Sequence, residues 1–316
     1  MKRTFVGLLL AVYIGGLMQP IKAQTKDNLK GEISLSGAFA LYPMVVKWAE
    51  EFKKIHPNVR IDISGGGAGK GMTDALAKVV DLGMVSRDVH DVEFKKGAVA
   101  FAVVKDAVVP TVNAANPLIR DIKAKGLKRN VALSLWSGKC KTWGNVLGTT
   151  SKVPVHVYTR SDACGAAETW AAWFGKRQED LEGTAVFGDP GVASAVQKDK
   201  VGIGFNNIAY AYDQKTRRPY AGLAIIPLDV NGNGKIDPEE KFYDNSLSLI
   251  KAIVSGKYPS PPARNQFLVS NGVPKKPEVI EFIKYILTEG QKYANATGYI
   301  GLSKITINQE LAKLKK

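Results

Sequence analysis

The sequence is poor in the residues that carry covalent and metal chemistry. Its 316 residues include two cysteines and three histidines. His56, His90 and His156 stand far apart without the short spacings of a zinc site, so they are expected on the surface or in loops. Ser161 and Cys164 have no histidine that can be assigned to them as a base, which argues against a nucleophilic enzyme. Cys140 and Cys164 are the one available pair, and both a disulfide and two free thiols stay open because sequence does not supply their separation. After the first residues no apolar run approaches a membrane span. Acidic residues are in deficit, 29 against 44 Lys and Arg, for a net charge of +15. The lysines are scattered through helical stretches instead of clustering with aromatics, so a nucleic-acid partner is not expected. A basic balance of this kind raises the local concentration of anions.

What is present begins with a leader. Lys2 and Arg3 precede an apolar run from Phe5 to Met18, and Lys22-Ala23 precedes Gln24. These are the three regions of a secretory signal peptide, and the run is too short and too rich in glycine to anchor the chain. Cleavage is expected after Ala23, with no cysteine there for lipid attachment. The predicted product is periplasmic, is not inserted in a membrane, and has 293 residues with a net charge of +12 once Lys2, Arg3 and Lys22 are removed. That length suits two domains.

Three segments share one design. The extended run Val153 to Tyr158 delivers Arg160 and Asp162, and the small residues Ala163, Cys164, Gly165, Ala166 and Ala167 then open into a helical pattern. A guanidinium is thereby placed beside the unpaired N–H groups of a helix N-terminus, two kinds of donor for one anion. Upstream, a strand from Ile33 runs into Gly37-Ala38-Phe39-Ala40 before a helix whose face is Leu41, Val45, Trp48, Ala49 and Phe52, with Pro43 in its first turn. The strand Val59 to Ile63 runs into Ser64-Gly65-Gly66-Gly67-Ala68-Gly69-Lys70-Gly71 before a helix with Met72, Ala75, Leu76 and Val79. Glycines there let main-chain N–H groups approach a ligand. A nucleotide P-loop is rejected: Ser64 falls on the first glycine, and Gly71 replaces the hydroxyl that holds magnesium.

Taken in order, Ser36-Gly-Ala-Phe-Ala-Leu-Tyr-Pro43, Gly65-Gly-Gly-Ala-Gly69, Asp81-Leu-Gly-Met-Val-Ser-Arg87, Arg160-Ser-Asp-Ala-Cys-Gly165 and Gly202-Ile-Gly-Phe205 resemble the phosphate-binding proteins of bacterial ABC importers. The resemblance covers nearly the whole chain after the leader. It implies an α/β, two-lobed type II periplasmic-binding-protein fold with two crossing hinge strands and an anion buried between the lobes. The expected partners are inorganic phosphate or a related oxyanion and an ABC transporter permease. Carried over by position, the phosphate-binding residues are Ala38, Phe39, Ala40, Gly67, Ala68, Ser86, Arg160, Asp162, Cys164, Gly165 and Ala166. The family's hydroxyl-bearing positions are here Ala38, Cys164 and Ala166. Ser86 stands where the family often has an aspartate that discriminates protonated phosphate from sulfate. A buried hydroxyl bond to a charged group is worth about 1.5–3 kcal/mol, so these departures bear on which oxyanion is taken.

Lobe 1 is expected from residues 24–112 and 264–316, and lobe 2 from 113–263. The apolar run Ala98 to Val112 and the segment Phe267 to Ser270 are the predicted crossing strands, and Tyr258 to Ala263, rich in proline, is the return. Asp189-Pro190 is expected to cap a helix through Val196, and Tyr210 and Tyr212 to pack the lobe. The stretch Asp229 to Glu240 matches the spacing of a calcium loop, with Asp229, Asn231, Asn233, the Lys235 carbonyl, Asp237 and Glu240 as oxygen donors. A strand-like segment precedes it, so the loop would stand outside a helix–loop–helix hand and serve a structural role. The other reading is a polar Asn-Gly turn. No organic cofactor is expected.

The function expected is therefore that of a solute-binding protein that captures phosphate for import, not an enzyme. The alternatives are a binder of another oxyanion or phosphorylated small molecule, a non-transport sensor or interaction protein on the same fold, and a hydrolase.

Overall fold

The computed structural model describes residues 28–315, and the expected leader, residues 1–23, lies outside the described residues. Among the described residues nine strands are arranged in one curled sheet: β1 (Gly31–Gly37), β2 (Val59–Gly65), β3 (Leu82–Val85), β4 (Ala98–Asn113), β5 (His156–Arg160), β6 (Thr184–Val186), β7 (Gly202–Asn207), β8 (Leu223–Ile225) and β9 (Ala263–Asn271). Their spatial order is β2-β1-β3-β9-β4-β7-β5-β6, with β8 also on β4. β1 lies parallel between β2 and β3, and β5 lies parallel between β6 and β7. Two parallel clusters are thus joined through antiparallel β9 and β4.

β4 belongs to both halves. Its first part pairs with β9 from Ala98↔Asn271 to Ala107↔Ala263, with an irregularity between Ala102 and Val104. Its second part pairs with β7 from Val108↔Asn207 to Val112↔Ile203. The near-continuous apolar run suits a strand covered on both faces, and all but Val99 and Lys105 are buried. Two hydrophobic cores flank it. One gathers Ile33, Trp48, Phe52, Phe101, Leu268 and Phe282. The other gathers Val109, Trp136, Trp143, Trp170, Phe205 and Leu249. Along β4, Val104 packs in the first and Ala107 in the second; along β9, Leu268 packs in the first and Ala263 in the second. Both strands therefore pass from core to core. β9 is longer than the predicted Phe267–Ser270, because pairing with β4 begins at Ala263, directly after Pro262.

The helices that open onto the cleft follow their apolar faces. In the helix Tyr42–Ile55, Met44, Val45, Trp48, Ala49 and Phe52 are buried, Pro43 sits in the first turn, and Lys53 and Lys54 face the negative end of the dipole. The Ala68–Leu76 helix stops before Val79, which is 69 % exposed and not on its buried face. Lys78, at φ 58°, breaks the helical path. The helix Gly165–Trp173 is buried on nearly every side, with Trp170 edge-on to Trp136 at 5.1 Å and Glu168 turned outward. The helix Gly188–Lys198 starts two residues earlier than predicted, with Phe187 at the N-cap position, so Asp189 lies inside the first turn instead of capping it. Among the described residues, no helix is long and apolar enough to cross a membrane.

Candidate functional site

The carboxyl ends of β1, β2, β3 and β5 all empty into one cleft, where the turns from the two lobes touch. The Gly69 N–H donates to the Ala163 carbonyl at 3.1 Å, and the Tyr210 hydroxyl donates to the Phe39 carbonyl at 3.0 Å. The rings of Phe39 and Phe187 meet edge to face at 5.5 Å. Arg87 Nε approaches Glu168 Oε2 at 3.2 Å, and His90 Nε2 approaches Glu168 Oε1 at 3.1 Å. Two glycines make this proximity attainable. A Cβ on Gly67, at φ +89°, would stand 2.7 Å from the Ala163 carbonyl and 2.9 Å from Asp162 Oδ2, and one on Gly165 would collide with the main-chain oxygen and hydroxyl of Ser86.

Arg160, at the end of β5, is buried between two carboxylates. Nε donates to Asp162 Oδ1 at 2.8 Å, Nη2 to Asp162 Oδ2 at 2.6 Å, and Nη1 to Asp189 Oδ2 at 2.6 Å. Three of the five N–H groups of a guanidinium are used, and two remain. Burial would pull its pKa down, but the charge of Asp189 and the bond to Asp162 outweigh it, and the shift is upward. Asp162 also accepts the Gly188 N–H at 3.1 Å. Gln178 pins the following turn by donating to the Asp162 carbonyl at 2.6 Å and accepting the Cys164 N–H at 2.9 Å.

Around this arginine the donors are mostly main chain. Among the described residues, no intramolecular acceptor takes the N–H groups of Phe39, Ala40, Ala68, Gly165 or Ala166. Ala68 heads the Ala68–Leu76 helix, and Gly165 and Ala166 head the Gly165–Trp173 helix, positions where the chain has no partner of its own to offer. Ala38, Ala40, Ala68, Ser86, Cys164 and Ala166 are buried. The arrangement is a set of buried N–H dipoles around the Arg160 guanidinium, suited to an oxyanion. Burial foremost, with the nearby Asp162 and Asp189 charges, pushes the Cys164 thiol pKa up to about 12, although Arg160 pulls the other way.

The structure brings Ala38, Phe39, Ala40, Gly67, Ala68, Ser86, Arg160, Asp162, Cys164, Gly165 and Ala166 to this cleft. Sequence reasoning missed Asp189, Asn207 and Gln178, and it assigned Tyr210 to lobe packing, whereas its hydroxyl reaches across to Phe39. The disulfide alternative is not taken. Cys140 and Cys164 are both free and buried, and Cys164 Sγ instead accepts the Ala167 N–H at 3.4 Å as the helix cap. His156 Nδ1 meets Asp199 at 2.6 Å and the His56 ring packs tilted against Phe52 at 4.5 Å, so the histidines are spread over three separate settings.

The loop of residues 229–240 lies apart from the cleft. Asp229 accepts the N–H groups of Gly232, Asn233 and Gly234 at 2.7, 3.1 and 2.7 Å. Glu240 accepts those of Val230 at 2.8 Å and Asp237 at 3.1 Å. Asp237 Oδ2 accepts the side-chain amides of Asn231 and Asn233 at 2.9 and 2.7 Å, and Lys235 Nζ reaches Asp237 Oδ1 at 3.2 Å. Among the described residues, no group of three or more His, Cys, Asp or Glu side chains is drawn together as a metal-holding set.

A family model described as a PBP superfamily domain matches residues 22–289. The chain belongs to the PBP superfamily. Among its relatives, the phosphate-binding protein PstS of Methanocaldococcus jannaschii is 28 % identical, over 91 % of this chain and 86 % of that protein. The protein of the same name from Staphylococcus aureus is 24 % identical, over 92 % of this chain and 84 % of its own length. The crystal structure of a putative phosphate ABC transporter substrate-binding protein with bound phosphate, from Clostridium perfringens, aligns with a TM-score of 0.71 at 22 % identity. It covers 86 % of this chain and 100 % of that one. This likeness confirms the two-lobed PBP fold predicted from the sequence.

Proposed function

We propose that this protein captures inorganic phosphate and delivers it to an ABC transporter, as a binding protein and not as an enzyme. The observation that carries the proposal is the buried Arg160, with two N–H groups left over, set among five main-chain N–H groups that have no acceptor of their own. Relatives named for phosphate binding, and a phosphate-bound neighbour of the same fold, support this choice among anions. Oxyanion charge would be met by fixed dipoles and a clamped guanidinium, and the lobes would close about β4 and β9. The leader, cleaved after Ala23, would place the mature chain in the periplasm, where the permease is its partner.

A second reading, which the phosphate-named relatives do not favour, is that another tetrahedral oxyanion or a phosphorylated small molecule is the preferred ligand, since Ala38, Cys164 and Ala166 bring no hydroxyls. Calorimetry of the mature chain against phosphate, sulfate, arsenate and molybdate tests both. Phosphate binding tightest, with sulfate weaker but still able to compete, is the expected result, and a stronger response to another oxyanion overturns the first reading in favour of the second.

We also propose one calcium ion in the 229–240 loop, on the spacing of its oxygen donors. Glu240 and Asp229 are already folded over the loop's amides, and Asn231 and Asn233 would turn their side-chain oxygens inward to complete the set.

A further inference from the structure

Arg160 is one end of a buried chain of side chains that runs back to the hinge strands. Arg264 of β9 donates from Nε to Asp106 Oδ1 of β4 at 2.9 Å, from Nη1 to Thr169 Oγ1 at 3.0 Å, and from Nη2 to Asn207 Oδ1. Asn207, the last residue of β7, donates its side-chain amide to Asp189 Oδ1 at 2.6 Å and its main-chain N–H to the same oxygen at 3.1 Å. The other oxygen of Asp189 accepts Arg160 Nη1 at 2.6 Å. The Asp189 carbonyl accepts the Asn206 side-chain amide at 2.9 Å, and the Asn206 oxygen accepts the Thr111 hydroxyl at 2.9 Å. All of these residues are buried, so each depends on its neighbours for hydrogen bonds.

We propose that Asp189 is a positioning residue that determines the affinity of the cleft by fixing the rotation of the Arg160 guanidinium. Asp162 alone grips one edge of the fork, through Nε and Nη2. Asp189 holds the opposite nitrogen, so the guanidinium is gripped from both sides and its rotation is restricted. The two carboxylates are themselves coupled, since the Gly188 N–H bonds Asp162 and Gly188 immediately precedes Asp189. Asn207 and Arg264 then tie that orientation to Asp106, on a strand that passes between the cores. A lysine has no second edge for Asp189 to hold. The proposal rests on the anion-capture reading above, and its role for Asp189 is distinct from any direct contact with the ligand.

The test is made on the mature chain with inorganic phosphate as the probe, in two arms. In the ligand-free protein, nitrogen NMR of the arginine side chains should show restricted, resolved Nη signals for Arg160 that Asp189→Asn averages together. By calorimetry, Asp189→Asn should weaken phosphate binding by at least about tenfold in the wild-type background, but by less than about threefold in an Arg160→Lys background. Asn207→Ala keeps both carboxylates and should give a smaller loss of about threefold, so it serves if Asp189→Asn does not fold. Unchanged Arg160 signals and affinity in Asp189→Asn overturn the proposal, as does an equal loss in both backgrounds, which would mark Asp189 as a general structural residue. If the wild type takes no phosphate, the capture reading falls, and the ligand-free NMR arm still decides whether Asp189 holds Arg160.

Discussion

Replacing Arg160 with alanine tests the site at its centre. The substitution removes the buried Arg160 cation and leaves Asp162 and Asp189 in place, their side chains 5 % and 1 % exposed. Two unit charges about 4 Å apart in a medium of effective dielectric near 20 interact by ~4 kcal/mol, which is roughly a thousandfold in affinity for a bound anion. The two stranded carboxylates add repulsion of the same sign, so the loss should not fall below about 2 kcal/mol. Three hydrogen bonds to the guanidinium are lost as well, and breaking a buried ion pair costs about 3–5 kcal/mol of stability. A melting curve and circular dichroism must therefore accompany the calorimetry, so that loss of binding is read only from folded protein. Arg160→Lys should recover part of the affinity, since the charge returns without the planar fork. A folded Arg160→Ala variant that binds phosphate within about threefold of the wild type would refute the assignment of this residue and with it the proposed site.

Four further outcomes are expected. Ser86 can donate or accept a hydrogen bond, so sulfate should compete with phosphate in calorimetry, and Ser86→Asp should suppress that competition; no sulfate competition at large excess would show that another acceptor selects. Calcium should raise the melting temperature and a chelator lower it, with Glu240→Gln abolishing most of the shift and leaving oxyanion binding nearly intact; no shift and no calcium by elemental analysis reduces residues 229–240 to a polar turn. With its pKa pushed up to about 12, the Cys164 thiol should resist iodoacetamide at pH 8 in the native protein, and both cysteines should react once it is denatured. Burial raises the Glu93 pKa, but the bonds from Arg87 and the His90 N–H outweigh it and the net shift is downward. The stability this carboxylate contributes is thus present above its unfolded pKa and lost as pH falls through the folded one, and Glu93→Gln should flatten the acid limb of a stability–pH curve.

The donor turns were legible because each is a local event. A strand that ends in small residues and a helix that starts on them can be recognised within ten or so residues, and the amides at a helix start lack partners wherever the helix lies. Trp48 and Phe52 declared a buried face by spacing alone, and Arg160 and Asp162 lie two residues apart on one strand end. The length of β9 was not legible, since residues 263–266 gain their strand character from pairing with β4 and not from their own alternation. Helix termination at Leu76 was equally hidden, as was the placement of Asp189, which looks like a cap in Gly-Asp-Pro.

By itself, then, the sequence determined the α/β alternation, the turns that present main-chain donors, and the arginine with its first carboxylate, because backbone propensity and apolar periodicity act over a few residues. Only the tertiary structure decided which groups share the cleft. Asp189 reaches Arg160 from 29 residues away, and Tyr210 reaches Phe39 from 171. Those meetings depend on a strand order that interleaves distant segments, and on β4 and β9 carrying the chain between two cores. A side chain's partner across such a sheet is set by register and burial, neither of which is written in its neighbours.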